Sequence, residues 1–464
     1  MKVAASKNIA RANGWFITKH PKRRIDSASW RSHFECLSVT RTLCAILFTV
    51  HFSLFTFNSF AQRPAPAPAQ DSTVILLNGR AHIGNGQVIE NSAIGFSKGK
   101  ITFVGDARTM RIDPTGARLI HLDGKDVYPA LIAANSDIGL WEIELVRSTN
   151  DKTEVGSFNP AVRSLISYNT DSKVIPTVRS NGVLLAQVVP SGGVVSGTSS
   201  VVQLDAWNWE DAAYKADDGV WLSWPFYNPF KQEAVDQYRK QVEAIELFFK
   251  QAQAYRNNPP AAKDVQFEAM RRLWNGTGKL YIRASTSYQI TAAVLFAKSM
   301  NLPCVIAGGE ESYKCVDVLR AHNASVMFNR IQSLPLATDD DVDQPYKTPS
   351  VLQQAGIPFC FAMDVYWQNR NLAFNAGQGV AYGLTKEQAL TALTQNAAII
   401  LGIGDRTGTL ESGKDANIVV STGDVLDMRT NNVELAFVQG RRISLDNKQK
   451  ELYETYRKKY GLDK

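Results

Sequence analysis

Two kinds of hydrophobic pattern divide the chain. From residue 73, "TVILLNGRAHIG" and then "SAIGFSKGKITFVG" alternate apolar and polar positions between glycine turns, the pattern of antiparallel strands with one face buried. It returns near the other end, in "ANIVVSTGD" and "VELAFVQGRRI". Matching β character at both ends predicts one small composite β-sandwich built from residues 72–126 and 405–446, with everything between inserted into it. That insert, 127–404, shows eight short apolar runs rich in β-formers: "VYPALIAA", "GVLLAQVVP", "SSVVQL", "GVWLSW", "KLYIRAS", "PCVIAGG", "SVMFN" and "PFCFAMD". Helical stretches stand between most of them, so the fold class is α/β, with a (β/α)8 TIM-type barrel. Thr385 and Gln388 form a capping box ahead of "QALTALTQNAAIILG", which repeats apolar residues at helical spacing. An insert at about 231–275 reads as two amphipathic helices split by Pro259 and Pro260, and 447–464 reads as a final helix.

Charge changes the picture only at the N-terminus. Of 464 residues, 51 are Lys or Arg and 44 Asp or Glu, a net of +7. Residues 1–61 hold nine of the basic residues, with Asp26 and Glu35 as their acidic residues, which leaves 42 of each sign beyond. The remainder presents no field to attract nucleic acid. Within the leader, Arg41 precedes "LCAILFTVHFSLFTF" and then "NSFAQ", the layout of an export signal cut after Ala61. The expectation is a periplasmic or secreted protein with no integral membrane span in the mature chain. The alternative is a leader kept as an anchor, since the apolar run from Leu43 to Phe60 approaches the length of a span. The stretch before Arg41 is long for a signal peptide, and a start at Val39 would leave the pattern whole. Residues 62–71, with "RPAPAPAQ", read as a proline-stiffened linker. Cys304, Cys315 and Cys360 remain beyond the leader, an odd number with no metal-type spacing, and read as buried thiols.

Candidate chemistry gathers where apolar runs end in polar groups. "VYPALIAANSDIGL" stops at Asn135, Ser136 and Asp137, and "FAMD" stops at Asp364. Together with "QNAAIILGIGDRTGTLESGKDANIVV" and the paired-end sandwich, these segments resemble the amidohydrolase superfamily, specifically its imidazolonepropionase-like and prolidase-like exported members. The resemblance covers about 72–446. It implies hydrolysis of C–N bonds in cyclic amides or dipeptides, with zinc or another divalent metal at the carboxyl ends of the barrel strands in active relatives. It further implies His-x-His after strand one, a His after each of strands five and six, and an Asp after strand eight.

This chain departs from that set. Asn135 and Asp137 replace the His pair, Arg283 or Ser285 stands after strand five, and Gly308 after strand six. Only Asp364 matches. Of six histidines, His20, His33 and His51 belong to the leader, and His82, His121 and His322 fall away from the catalytic face. A guanidinium stays protonated and cannot ligate a metal, so Arg283 is expected to pair with Asp364 or Asp137, and no metal cofactor is expected. The remaining acids keep other readings open: Asn135, Asp137 and Asp364 as oxygen ligands for a hard cation, or Asp364 (candidate) and Asp137 (weaker) as a metal-free acid/base pair.

Three further stretches carry their own alternatives. Trp207, Trp221 and Trp224, in an aromatic stretch near strands three and four, offer stacking surfaces for a ligand or simple packing beneath the insert. "PSGGVVSGTSS" reads as a mouth loop without the Lys of a phosphate loop. "DDDVD", 339–343, reads as a solvated acidic loop rather than a calcium site. The function expected first is a binding or scaffolding protein with weak or lost metal-dependent activity, a pseudoenzyme. An active hydrolase using Asp364 and Asp137, or a protein capturing a small-molecule or peptide ligand on the aromatic mouth, are the alternatives. Association as a homo-oligomer, or with an active relative, is the partner expectation.

Overall fold

The computed structural model describes residues 65–462, so the leader and its cleavage point lie outside the described residues. Eight strands line up as β13-β12-β11-β10-β9-β8-β7-β6, and a bridge between Ala134 and Ala362 joins the two ends of that row into a nearly closed barrel. They are β6 (Leu131–Ser136), β7 (Val183–Val188), β8 (Val195–Gln203), β9 (Ala213–Ser223), β10 (Lys279–Ala284), β11 (Cys304–Gly308), β12 (Ser325–Phe328) and β13 (Phe359–Phe361). Each apolar run read from the sequence contributes one of these strands.

The third strand runs the wrong way for a pure β/α alternation. β8 is antiparallel to both β7 and β9. The reason is connection length: residues 189–194 and 204–212 are too few for a helical crossover, which needs a dozen or more residues, but they suit hairpins. The start of β8 therefore lies at the barrel mouth, beside the carboxyl ends of its neighbours.

Inside the barrel, Ile132, Leu185, Trp221, Tyr281, Val305, Met327 and Cys360 form an apolar core. One polar knot sits among them. The Asp218 carboxylate, fully buried, accepts hydrogen bonds from Ser199 Oγ (2.6 Å), Tyr281 Oη (2.6 Å) and Gln187 Nε2 (2.8 Å). Burial still pushes the Asp218 carboxyl up, because donors offset only part of the lost hydration.

Among the described residues ten helices surround and extend this core: α1 (Val174–Arg179), α2 (Gln232–Asn257), α3 (Val265–Met270), α4 (Ser287–Ser299), α5 (Val316–Ala321), α6 (Gln344–Gln354), α7 (Leu372–Ala381), α8 (Lys386–Leu393), α9 (Gln395–Leu401) and α10 (Lys448–Lys459), leaving aside a single turn at 209–212. The insert is α2 and α3. α2 buries Ile245, Phe249 and Ala252, spaced to share one face, and Asp264 caps α3 by accepting from the amides of Gln266 and Phe267. The α8 capping box of Thr385 and Gln388 is formed in both directions. Helix α9 closes the barrel floor. Lys279 Nζ donates to the carbonyls of Ile399 (3.0 Å) and Ile400 (2.7 Å), and Lys215 Nζ to that of Leu401 (3.0 Å), so two ammonium groups satisfy carbonyls the helix end leaves open.

The second sheet draws on both chain ends: β1 (Thr73–His82), β2 (Val88–Ser97), β3 (Lys100–Asp106), β4 (Ala117–His121) and β5 (Asp126–Pro129) with β14 (Ile418–Ser421), β15 (Val433–Val438) and β16 (Arg441–Arg442). Phe96 of β2 and Phe437 of β15 are four strands apart in the order, yet their ring centroids are 5.0 Å apart. Flat strands at ~4.8 Å spacing would hold them far from contact, so the sheet curls over its own core of Leu76, Ile94, Phe96, Ile418 and Phe437. The chain changes sheets within the segment first read as one strand: Pro129 ends β5, the Ala130 amide donates to Asn417, and Leu131 opens the barrel with its amide on Gly182.

The described part of the proline-stiffened linker is held against the body. The Ala67 amide donates to Asp205 Oδ2 (3.0 Å), and Arg441 Nη1 donates to the Ala67 carbonyl (3.2 Å). Asp205 is itself buried between Arg179 (2.8 Å) and Arg441 (2.9 Å). All three cysteines beyond the leader are buried free thiols. Among the described residues no helix is long and apolar enough to cross a membrane.

Candidate functional site at the barrel mouth

Strand β6 ends in a bulge, with its register to β7 shifting between Ala133 and Ser136. Asn135 sits there at φ 49°, a left-handed conformation that asparagine tolerates better than most residues. Its amide donates to Gln187 Oε1 (3.2 Å) and its Nδ2 to Asn329 Oδ1 (3.3 Å), tying strands one, two and seven across the mouth. Two residues on, Asp137 is only 5% exposed and binds Lys152 Nζ at 2.8 Å. Lys152 lies over the Trp141 ring, 3.8 Å from its centroid. Burial pushes the Asp137 carboxyl up, and Lys152 opposes that shift only in part; among the described residues Asp137 Oδ1 has no hydrogen-bond partner.

Arg283, at the end of β10, does not pair with Asp364 as the sequence suggested. Its Nη1 donates to Ser196 Oγ (3.0 Å), its Nη2 to the Pro190 carbonyl (2.7 Å), and its guanidinium lies over the Trp221 indole at 4.6 Å. The reversed strand explains the difference, because it carries Ser196 and the Pro190 turn to the mouth, next to β10. Burial pulls the Arg283 pKa down to about 10, while the charges of Asp364 and Asp137 hold it up from beyond bonding distance. Asp364 faces Arg330 Nε at 3.5 Å instead, with 39% of its side chain exposed.

Gly308 closes β11 at φ 108°, a region glycine enters without strain. A Cβ there would stand 3.0 Å from Glu310 Oε2 and 3.3 Å from Ser285 Oγ. The space a larger side chain would take at this position is thus filled by the Glu310 carboxyl folded back over Gly308. Burial pushes that carboxyl up, with the neighbouring Ser285 hydroxyl pulling the other way.

The mouth therefore brings together Asn135, Asp137, Arg283, Gly308 and Asp364, and adds four residues the sequence reading did not use: Lys152, Ser196, Glu310 and Arg330. Glu310 was visible in "VIAGGEE" directly after Gly308. The other three had no signal, since Lys152 and Arg330 depend on loop folding and Ser196 on the direction of β8. This set does not fit a divalent cation. A protonated guanidinium stands at one implied ligand position, a glycine at another, and Asp137 and Asp364 each already face a cation. Among the described residues no group of three or more His, Cys, Asp or Glu side chains converges as a metal-binding set. His82 lies between Asp126 and Glu387, His121 beside Asn78, and His322 at the end of α5, all away from the mouth.

The fold sets the three aromatic candidates apart from one another. Trp221 is fully buried inside the barrel and stacks on Tyr281 at 4.9 Å, and Trp224 is 5% exposed beneath the insert, against Phe296. Trp207 is exposed but follows the reversed β8, which delivers it to the floor end rather than the mouth. Trp221 therefore serves the site only as the face on which Arg283 rests, and Trp224 borders a groove with Gly193, Val194 and Ser223. In the acidic loop, Asp340 pairs with Lys314 and Asp341 with Lys347.

Residues 336–443 match the model of the amidohydrolase family. The imidazolonepropionase of Thermoplasma volcanium is 37% identical over 129 residues, 26% of this chain; the match spans 32% of that relative's length. Among solved structures, an amidohydrolase from Thermotoga maritima is similar with a TM-score of 0.70 and 23% identity, over 80% of this chain and 99% of that one. A prolidase crystallised with N-methylphosphonate-L-proline is similar at a TM-score of 0.51 and 15% identity, over 80% and 100%. At these identities the structural likenesses speak for the fold alone. With a barrel sheet, a second sheet drawn from both chain ends and the matched segment that joins them, the chain resembles the amidohydrolase superfamily in fold and, over residues 336–443, in sequence.

Proposed function

We propose that this protein keeps the superfamily's barrel as a binding scaffold and has lost metal-dependent hydrolysis. Arg283 carries the reading: a cation fixed by Ser196, Pro190 and Trp221 at the position where relatives are expected to hold a metal ligand. A dication placed beside it would be repelled, and the two nearest carboxylates face Lys152 and Arg330. Elemental analysis of protein purified without chelator tests this directly. The expected result is zinc, manganese and iron each well below one per chain, with no turnover of dipeptides or cyclic amides. One dialysis-resistant metal per chain would overturn it.

A second reading has one observation in its favour. Glu310 places a buried carboxyl, pushed toward its protonated form, at the mouth near Asp364 and Arg330, which is the environment of a general acid. In that case hydrolysis survives without metal, and Glu310→Gln abolishes it while chelator does not. Export belongs to the same proposal, supported by the Arg41–Ala61 pattern. N-terminal sequencing of the mature protein is expected to begin at Gln62, and residues preceding Arg41 on that protein would refute it.

A further inference from the structure

We propose that the barrel mouth is a receptor for a small monocarboxylate, whose carboxylate docks on the free edge of the Arg283 guanidinium. The proposal rests on the metal-free reading above and names what the site takes in place of a metal. Three observations lead to it. A guanidinium has five N–H groups, and among the described residues acceptors take two of them, through Ser196 Oγ and the Pro190 carbonyl. The side chain is held in one orientation by those two bonds and by the Trp221 face. Among the described residues no carboxylate lies within 4.0 Å of it; Asp137 and Asp364 act on it only at longer range.

Charge then selects the ligand class. Asp137 with Lys152 and Asp364 with Arg330 are internally balanced pairs. The Glu310 carboxyl is pushed toward its neutral form by burial. What remains is a single positive charge with a planar, partly open fork, and a carboxylate matches it in both charge and shape. A phosphate dianion would need a second free cation, and Lys152 and Arg330 already face partners. Stacking behind and bonding on one side mean that the guanidinium is preorganised, so little side-chain freedom is lost when a ligand arrives.

The test uses an isosteric pair, butyrate and butyramide, with N-acetylglycine as a second monocarboxylate and inorganic phosphate as comparator. Each is titrated into the protein before and after chelator treatment, with melting temperature and calorimetry as readouts. The expected result is a saturable rise of about 2 °C with one or both monocarboxylates at concentrations about tenfold above their Kd. Butyramide should give none, and phosphate less. Arg283→Met should abolish the shift. Arg283→Lys, which keeps the charge but loses the fork, should weaken binding about tenfold and stands in if the methionine variant fails to fold. An equal response to butyramide, a stronger one to phosphate, or an unchanged response in either variant overturns the proposal. No shift in protein shown to be metal-free defeats the receptor alone, whereas a shift that disappears with a removed metal defeats the metal-free reading as well.

Discussion

Replacing Lys152 with methionine removes the counter-charge of Asp137 while keeping much of the aliphatic stem over Trp141. Asp137 is 5% exposed and one of its oxygens already has no partner, so the variant leaves a buried carboxylate without its strongest bond. Removing one partner of a buried pair costs about 3 to 5 kcal/mol, and for a body of this size that is a fall in Tm of about 4 to 6 °C. The pH dependence follows from the direction of the Asp137 shift. Its folded-state pKa already lies above the usual 3.8 because of burial, and losing Lys152 raises it further. A carboxyl with a raised folded pKa carries no penalty below its unfolded value, and the penalty sets in as pH rises through the folded one. The deficit of Lys152→Met should therefore be larger at pH 7.5 than at pH 5, by calorimetry of both proteins across that range. Asp137→Leu added to Lys152→Met should recover much of the loss, since no orphaned charge remains. A single variant melting within about 1 °C of the parent at pH 7.5, or a deficit that grows toward acid, would refute the reasoning.

Asp364→Asn should cost less than about 1 kcal/mol, because its ion pair with Arg330 is half-exposed; denaturant unfolding checks this, and a loss of several kcal/mol would mean that Arg283 depends on it after all. His82 stacks on Tyr128 between Asp126 and Glu387; burial lowers its pKa, but the bonds to those carboxylates win and hold it at about 9. The stability it contributes is complete below its unfolded 6.5 and is lost as pH rises through about 9. The Tm gap between parent and His82→Gln should therefore narrow above that pH, and a constant gap would contradict it. Asp205→Ala strips the carboxylate from buried Arg179 and Arg441 and releases Ala67. Limited proteolysis with mass mapping should then cut within 65–70, where the parent resists.

The barrel was legible because each strand is a short apolar run closed by turn residues, and the helix caps were legible because Thr385 and Gln388 are local. Strand direction was not legible, since "SSVVQL" reads alike both ways and only the shortness of its flanking connections, 189–194 and 204–212, betrays the hairpins. The single run "VYPALIAA" hid a change of sheet at Ala130 for the same reason: periodicity records burial, not which neighbour does the burying. At the mouth, the residue types at strand ends could be read off, and the absence of histidines there followed from counting. The counter-ions could not. Lys152 reaches Asp137 through a folded loop, and Arg330 lies in the loop after β12, so the expectation that Arg283 finds an aspartate rests on charge with no geometry to choose among partners.

Strands β1–β5 wait on partners from β14 and β15, and the barrel floor waits on α9. The second sheet is not whole until the ribosome has passed residue 438, and the barrel has no floor until it has passed residue 401. At synthesis rates of about 5 to 20 residues per second, the interval between the first strand and its closing partners is roughly 20 to 70 s. Through that time the strands already made leave apolar edges unpaired. For a cytosolic protein that delay is a hazard. For a chain that must be threaded through a membrane pore unfolded, the same delay is what keeps it threadable.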